Sequence, residues 1–159
     1  MKKNFFSSTV SSKDKIWMQL ALILANKAKC INEVPVGAIL IFENRIIGSG
    51  FNCSIANHDP TAHAEIIAIQ EGGKILKNYR LNHTTLYVTL QPCIMCLGAI
   101  INSRISRLVI GTKFLKKKKD LYNTSEILQV LKTKIEFSDS ISLTSCTNII
   151  KKFFQSKRL

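Results

Sequence analysis

Residues 89–100 read TLQPCIMCLGAI, and this stretch predicts a β-strand followed at once by an α-helix. The apolar residues before Pro92 continue a strand pattern, and proline favours the first positions of a helix. Cys93 and Cys96 lie three residues apart, so both side chains face the same side of the first helical turn. The free N–H groups and the positive end of the helix dipole favour thiolates there. The stretch therefore predicts a pair of thiolates where a strand meets a helix.

The sequence on either side alternates between helical and strand patterns. Two β-branched runs flank a turn at Glu43-Asn44, which predicts a hairpin within residues 36–52. Strands that alternate with helices predict an α/β sandwich, and the hairpin makes its mostly internal sheet mixed. The further predicted strands are 84–90, 104–112 and a candidate short strand at 134–138; the predicted helices are 13–30, about 62–70 ending at Gly72-Gly73, 93–102, 125–132 and 146–157.

The chain has 159 residues, which is within the usual size of one domain. Residues 1–12 are basic and Ser-rich and lack the apolar core of a signal peptide, so a short flexible tail is favoured over a transit sequence. We expect a single domain over residues 13–159. No apolar run is long enough to cross a bilayer, so no membrane association is expected. The five cysteines make an odd number with one close pair, which favours a reducing compartment, the cytoplasm, over a disulfide framework.

The formal net charge is +13, from 23 basic and 10 acidic residues. The basic residues cluster at 113–119, 151–152 and 157–158, and clustered positive charge favours a polyanion such as nucleic acid. Most of this charge comes from lysine in a chain that is also rich in Ile and Asn, three residue types with A/T-rich codons. A solvated basic surface that arose from codon composition is therefore the alternative interpretation.

The Cys93–Cys96 pair has three interpretations. Two thiolates at this spacing suit Zn²⁺, whereas a C-x-x-C motif in a reducing compartment can also be a redox pair. A redox pair more often has small residues or proline between its cysteines, so the bulky Ile94 and Met95 favour a metal. The third interpretation is a pair of small hydrophobic side chains buried in the core.

His63 and Glu65, in the sequence TAHAEIIAI, are the strongest candidates to complete a metal site. A histidine alone at the start of a helix would more often be a capping or core residue. Two residues apart on a helix, His63 and Glu65 cannot easily chelate one ion together. One His and two Cys would leave an open fourth position, as catalytic zinc sites do, with Glu65 beside it. The remaining isolated candidates for a further ligand are His58, His83, Cys30, Cys53 and Cys146.

H-x-E followed by P-C-x-x-C is the known signature of zinc-dependent nucleobase deaminases, and the chain resembles it at residues 63–65 and 92–96. The resemblance implies hydrolytic deamination with one Zn²⁺ per chain, held by His63, Cys93 and Cys96. A zinc ion held in this way lowers the pKa of a bound water toward neutrality. Glu65 would carry protons from the water to a ring nitrogen and to the departing ammonia.

Longer segments resemble the bacterial tRNA-specific adenosine deaminases, which convert adenosine to inosine at the wobble position. The likeness runs from about Trp17 to Gly111 and resumes near the C-terminus; the segments that carry it are EVPVGAIL, NHDPTAHAEIIAI, NYRL, TLYVTLQPCIMCLGAIINSRISRLVIG and KKFF. It implies a cytidine deaminase-like three-layer α/β/α sandwich with a central mixed, mostly five-stranded sheet. It also implies a homodimer that acts on the anticodon stem-loop of tRNA.

The same resemblance implies that Asn52 hydrogen-bonds the flipped base and that Val36 packs against its face. Without it, these two residues would be interpreted as a turn asparagine and a core valine.

Two positions depart from the family pattern. The family usually has Glu before the Pro-Cys pair, where this chain has Gln91, an amide that keeps hydrogen-bonding capacity but loses charge beside the metal. After Gly111 the family has a pattern close to Asp-x-Lys-x-Gly-Ala-Ala-Gly-Ser, whereas this chain reads FLKKKKDLY. Only Lys116 fits that pattern. Phe114 could instead stack on a base, and Lys116, Lys117, Lys118 and Lys119 could grip phosphates; the alternative is a solvated loop.

Three functional hypotheses follow. The first is a tRNA adenosine deaminase. The second is a free nucleobase or nucleoside deaminase of the guanine or cytosine type, because those enzymes share the His-Ala-Glu and Pro-Cys-x-Met-Cys elements. The third is a non-catalytic RNA-binding relic with structural zinc, and an intact Glu65 argues against it because structural zinc has no need of that carboxylate.

Overall fold

The computed structural model describes residues 11–113, 123–139, 141 and 143–157. Within these residues the chain forms helices and strands in alternation. The strands are β1 (Gly37–Phe42), β2 (Arg45–Phe51), β3 (Thr85–Leu90), β4 (Arg107–Thr112) and β5 (Glu136–Ser138); the helices are α1 (Ser12–Cys30), α2 (Ala64–Leu76), α3 (Ile94–Asn102), α4 (Thr124–Val130) and α5 (Leu143–Ser156). Among the described helices, none is both long enough and apolar enough to span a membrane.

The strands form one five-stranded sheet in the order β2-β1-β3-β4-β5. β1 pairs antiparallel with β2 and with β3, whereas β3–β4 and β4–β5 are parallel. The hairpin turns at Glu43 and Asn44, which both have positive φ, as the favoured two-residue hairpin turn requires. The predicted α/β fold with a mixed sheet is therefore confirmed.

Helices cover both faces of the sheet because side chains along each strand alternate between them. On β1, Ile39 packs with Met18 of α1, and Cys146 of α5 belongs to the same cluster. Leu40 faces the other way and packs in the cluster that contains Ala68 of α2 and residues of α3. The sheet is thus the middle layer of a three-layer sandwich.

Two glycines of β2 set how closely α2 lies on the sheet. A Cβ at Gly50 would collide with the carbonyl oxygen of Ala64, and one at Gly48 would collide with that of Ala68. The helix backbone therefore contacts the strand backbone directly, which only residues without a side chain permit. Because Ala64 is the first residue of α2, the contact at Gly50 fixes the end of the helix that carries the candidate site.

The sequence-based prediction was wrong about where α2 ends. The helix was expected to stop at Gly72-Gly73, but it continues to Leu76 and ends at Lys77 in the left-handed conformation. Gly72 is buried, and a Cβ there would collide with the side chain of Leu40 on β1. The glycine serves close helix–sheet packing, and that packing outweighs its low helix propensity.

A buried charged network ties α1 to the far end of the sheet. Asp14 is 1% exposed and accepts hydrogen bonds from Tyr87 Oη at 2.7 Å and from Arg107 Nη1 at 2.7 Å and Nη2 at 3.0 Å. It also completes a capping box with Ser11 at the start of α1. Burial by itself would raise the pKa of Asp14, but the hydrogen bonds from Arg107 and Tyr87 outweigh it and hold the pKa well below its usual range.

We expect Asp14→Asn to lower the free energy of unfolding by about 3 kcal/mol, because Arg107 would lose its buried partner. A carboxylate whose pKa is depressed in the folded state stabilises the protein above its unfolded pKa of about 4 and loses that contribution as the pH falls further. Urea unfolding between pH 3 and pH 7 should therefore show a steeper acid loss in the unmodified protein than in Asp14→Asn. Parallel pH profiles would contradict this role for Asp14.

Candidate metal centre

Two helix N-termini meet at one edge of the sheet and bring the signature residues together. α2 follows β2 through the loop that ends at His63, and α3 follows β3 directly at Cys93. His63 and Cys93 are the N-cap residues of these helices, and neither side chain makes a capping hydrogen bond. Cys96 lies in the first turn of α3 and is fully buried. The two helix starts therefore bring the three side chains together, and no capping hydrogen bond occupies His63 or Cys93.

Their donor atoms have the spacing that one zinc ion requires. The Nδ1 atom of His63 lies 3.5 Å from the Sγ of Cys93 and 3.4 Å from the Sγ of Cys96, and all three atoms lie within 4.8 Å of one another. Tetrahedral zinc, with bonds of about 2.3 Å to sulfur and about 2.1 Å to nitrogen, places such ligands about 3.6 Å apart. Among the described residues, this group contains no fourth protein ligand. The donor set fits a zinc site with an open position rather than a closed structural site.

Glu65 lies beside these donors without belonging to them. It is in the first turn of α2, is 3% exposed, and forms a hydrogen bond with the Cys96 thiol. Burial raises the pKa of Glu65 to about 7, although hydrogen bonds from its own backbone N–H and from Cys96 oppose the change. A divalent cation in the site would favour the ionised carboxylate again.

The start of α3 was predicted to favour thiolates, whereas the surroundings of Cys96 disfavour a thiolate unless a cation is bound. Burial raises its pKa, and the neighbouring Glu65 and Cys93 raise it further. A cation bound beside Cys96 would offset this rise, because zinc deprotonates a thiol that binds it. The raised pKa of Cys96 and the spacing of the donor atoms therefore both favour a bound cation.

Asn52 and Val36 adjoin the metal centre. The Oδ1 of Asn52 accepts a hydrogen bond from the backbone N–H of Ala64 at 3.0 Å, and its own N–H donates to the carbonyl of Val36 at 3.1 Å. Asn52 thus supplies the cap that His63 does not, which leaves the imidazole free for a metal. The roles in base binding that the resemblance implied for these two residues stay predictions. Sequence reasoning missed the capping role of Asn52, which depends on a contact twelve residues along the chain.

The remaining candidates lie apart from this group or outside the described residues. His58, His83, Cys30, Cys53 and Cys146 do not belong to the metal-ligating group found in the described part of the chain. Gln91 is buried directly before the Pro-Cys pair, and its backbone N–H donates to Thr112 at 2.8 Å. The predicted RNA contacts Phe114, Lys116, Lys117, Lys118 and Lys119 lie outside the described residues.

The model of the cytidine and deoxycytidylate deaminase zinc-binding region matches residues 11–112, which contain every residue of the metal centre. The chain belongs to this deaminase family. The predicted cofactor, zinc, agrees with the family description and with the donor geometry.

Curated relatives share most of the chain's length. The tRNA-specific adenosine deaminase of Buchnera aphidicola subsp. Baizongia pistaciae is 53% identical over 146 residues, which cover 91% of this chain and 90% of the relative. The tRNA-specific adenosine deaminase of Haemophilus influenzae is 44% identical over 154 residues, covering 91% of this chain and 85% of the relative. The similarity to this family that the sequence predicted is thereby confirmed.

Solved structures show the same fold. One comes from biochemical and structural studies of A-to-I editing by tRNA:A34 deaminases at the wobble position of transfer RNA; it is 33% identical, has a TM-score of 0.76, and covers 84% of this chain and 98% of that chain. Guanine deaminase from Nitrosomonas europaea is 20% identical with a TM-score of 0.76, covering 87% of this chain and 83% of that chain. The second likeness concerns the fold alone.

We expect about one zinc per chain in the purified protein, measured by atomic emission. His63→Ala and Cys96→Ala should each lose most of the zinc, because two remaining ligands hold the ion poorly. Cys30→Ala, which alters an exposed cysteine, is the matched control and should keep it. Full zinc occupancy in Cys96→Ala would show that the metal binds elsewhere.

Proposed function

We propose that the protein is a zinc-dependent hydrolase that deaminates adenosine to inosine at the wobble position of a tRNA anticodon loop. The observation that carries this proposal is a buried carboxylate, Glu65, in contact with a three-ligand site that leaves one position open. Relatives named tRNA-specific adenosine deaminases, similar over nearly the whole chain, supply the substrate class.

In this proposal His63, Cys93 and Cys96 hold the zinc and Glu65 moves the protons. When bound, zinc supplies a water of lowered pKa next to the substrate. Glu65 accepts the first proton of the water and delivers it to N1 of adenine as the C6–O bond forms. It then transfers the second proton to the amino group, so that the C6–N bond breaks and ammonia leaves. Because a group that carries two protons has to remain free of the metal, the separate position of Glu65 supports this role.

Asn52 and Val36 are proposed to hold the base. With the Oδ1 of Asn52 occupied by the N–H of Ala64, its Nδ2 is oriented as a hydrogen-bond donor to an acceptor atom of the base. Val36 is 6% exposed and lies next to Asn52, where it offers an apolar surface for the face of the ring.

The basic segment after β4 is proposed to hold the RNA backbone. Extruding a base from a single-stranded loop costs less than extruding it from a duplex, but the flanking nucleotides still have to be held. Phosphate contacts from Lys116, Lys117, Lys118 and Lys119 would do this, and Phe114 would stack on a neighbouring base, a contact of about 1–3 kcal/mol. The net charge of +13 supports an anionic partner.

We further infer that the protein is a cytoplasmic homodimer. Ile94 is 61% exposed and Met95 is 38% exposed on the first turn of α3, next to the metal ligands, where a partner subunit would cover them. All five cysteines are free, which is consistent with a reducing compartment.

Measuring inosine formation on three substrates tests the proposed reaction. An anticodon stem-loop with adenosine at the wobble position should be deaminated, whereas free adenosine and free guanine should react poorly, because the flanking RNA contributes to binding. Efficient turnover of a free base or nucleoside would instead support the small-substrate hypothesis. No turnover of any substrate by zinc-loaded protein would support the non-catalytic hypothesis.

Glu65→Gln should lower kcat on the stem-loop by at least ~10²-fold, the usual contribution of a proton-transfer group. Zinc content and the unfolding midpoint should stay close to those of the unmodified protein, because Glu65 is not a ligand in this scheme. The control is Glu71→Gln on the same helix, whose carboxylate bonds Ser49 on β2 and should not affect kcat. Unchanged turnover in Glu65→Gln would remove Glu65 from the proton-transfer role.

Neutralising Lys117, Lys118 and Lys119 together should raise KM for the stem-loop. The slope of log affinity against log salt should flatten by roughly 0.7 for each phosphate that these lysines no longer neutralise. A variant with the exposed lysines 13, 15 and 74 neutralised removes the same charge elsewhere and should change the slope less. Equal slopes in the two triple variants would mean that residues 117–119 make no specific contact with RNA.

A further inference from the structure

The loop between β2 and α2 is held at its middle by a buried carboxylate outside the metal centre. Glu33 is 2% exposed, and its Oε1 accepts hydrogen bonds from the backbone N–H groups of Ile55 at 2.7 Å and Ala56 at 3.0 Å. Bonds of this kind to an ionised acceptor are about twice as strong as neutral ones. Two successive N–H groups directed at one oxygen form a small anion-binding turn.

This loop stands at the rim of the metal centre because its two ends meet there. The N–H of Cys53 donates to the carbonyl of Ala62 at 3.0 Å, which closes residues 53–62 into a compact surface loop. Asn52 precedes the closure and His63 follows it. The tip of the loop, residues 54–58, is therefore connected at both ends to residues of the metal centre.

Each end of the loop has its own connection to the domain. Asn52 is bonded to Val36 through its backbone, and the side chain of Asn52 bonds the first residue of α2. These bonds do not include any residue of the tip.

The tip has a different support. Its other hydrogen bonds in the described structure remain within the loop; they join Asn57 to Cys53, His58 to Ile55, and Asp59 to Ser54. Among the described residues, it is the hydrogen bonds to Glu33 that join the tip to the body of the domain. Its own backbone is anchored, because the Glu33 N–H donates to the carbonyl of Ala28 at the end of α1 at 3.0 Å.

Within the described part of the chain, Glu33 has backbone N–H groups as its hydrogen-bond donors. Neither salt bridge found among the described residues includes Glu33. Burial raises the pKa of the Cys53 thiol, and the nearby Glu33 carboxylate raises it further. A buried carboxyl group is costly unless its oxygen atoms are hydrogen-bonded, so the two N–H donors of Glu33 have to remain in place.

We propose that Glu33 is a positioning residue that preorganises the tip of the β2–α2 loop as a wall of the substrate site. RNA that binds to a preformed wall does not have to order the loop, so the carboxylate lowers KM without taking part in proton transfer. This inference rests on the proposed deamination of an anticodon loop.

Kinetics of Glu33→Ala and Glu33→Asp on the stem-loop test the proposal. Alanine removes the acceptor, and aspartate keeps the charge but is one methylene too short to reach both N–H groups. Each variant should raise KM by roughly tenfold, the ratio that corresponds to the removal of one charge-assisted hydrogen bond. The kcat at saturating RNA and the zinc content should stay close to those of the unmodified protein. Glu33→Gln, which keeps an acceptor oxygen of the same reach without the charge, should raise KM less than Glu33→Ala and Glu33→Asp do.

Hydrogen exchange provides a readout that does not depend on activity. The amide protons of Ile55 and Ala56 should exchange faster in Glu33→Asp than in the unmodified protein. Asp14→Asn is the matched control, because it alters a buried carboxylate at the opposite end of the sheet. It should lower the unfolding midpoint without changing KM or these two exchange rates.

An unchanged KM in Glu33→Asp, or a rise in KM no larger than in Asp14→Asn, would overturn the proposal. If Glu33→Ala fails to fold, Glu33→Asp and Glu33→Gln decide it, since both keep a polar side chain at the site. If the unmodified protein does not deaminate the stem-loop, the proposed function fails. The exchange rates of Ile55 and Ala56 then still show whether Glu33 holds the loop.

Discussion

The meeting of two helix N-termini at one edge of the sheet is the constraint on which the rest of the structure depends. α2 and α3 begin where β2 and β3 end, and the donor atoms on His63, Cys93 and Cys96 have to come within 4.8 Å of one another. A metal held by ligands from two helices tolerates little displacement between them. The bare backbone of Gly50 against Ala64 is therefore part of the site, because a side chain there would push α2 away from the sheet.

Three buried carboxyl groups of the domain differ in the groups that surround them. Asp14 has a cationic partner, Arg107, which holds its pKa low and makes it a structural group. Glu33 has two backbone N–H donors and holds a loop. Glu65 has little to offset its burial, so its pKa rises to about 7 in the absence of a cation. The same functional group thus forms a salt bridge, accepts backbone hydrogen bonds or has a raised pKa according to what lies next to it.

At the first turn of α2, the hydrogen bond that caps the helix and the candidate metal ligand come from different residues. A histidine at the N-cap would ordinarily be free to bond the helix N–H groups, but here the Oδ1 of Asn52 bonds Ala64 instead. His63 is left to face the two thiols, and Glu65, two residues later, reaches Cys96 from the same turn. One short segment can carry both a candidate metal ligand and a buried carboxyl group because Asn52, the residue that follows β2, supplies the cap.

The local sequence predicted most of the elements and two cysteines at the start of a helix, and its resemblance to a known signature implied the complete set of metal ligands. The spacing of Cys93 and Cys96 after Pro92, and the pair His63 and Glu65 at the start of another helix, are short-range features that depend on helix geometry alone. Periodicity likewise predicted the hairpin and the mixed α/β sheet. These features survive in the sequence because each depends on residues a few positions apart.

Contacts between distant residues decided what the sequence could not show. The continuation of α2 through Gly72 depends on Leu40 of β1, the cap on α2 depends on Asn52, and the hold on the loop depends on Glu33 reaching Ile55. A glycine, an asparagine and a glutamate have ordinary meanings in sequence as a helix stop, a turn residue and a surface charge. Tertiary packing gave each a different role because it placed a particular backbone group next to it, and no local pattern encodes that neighbour.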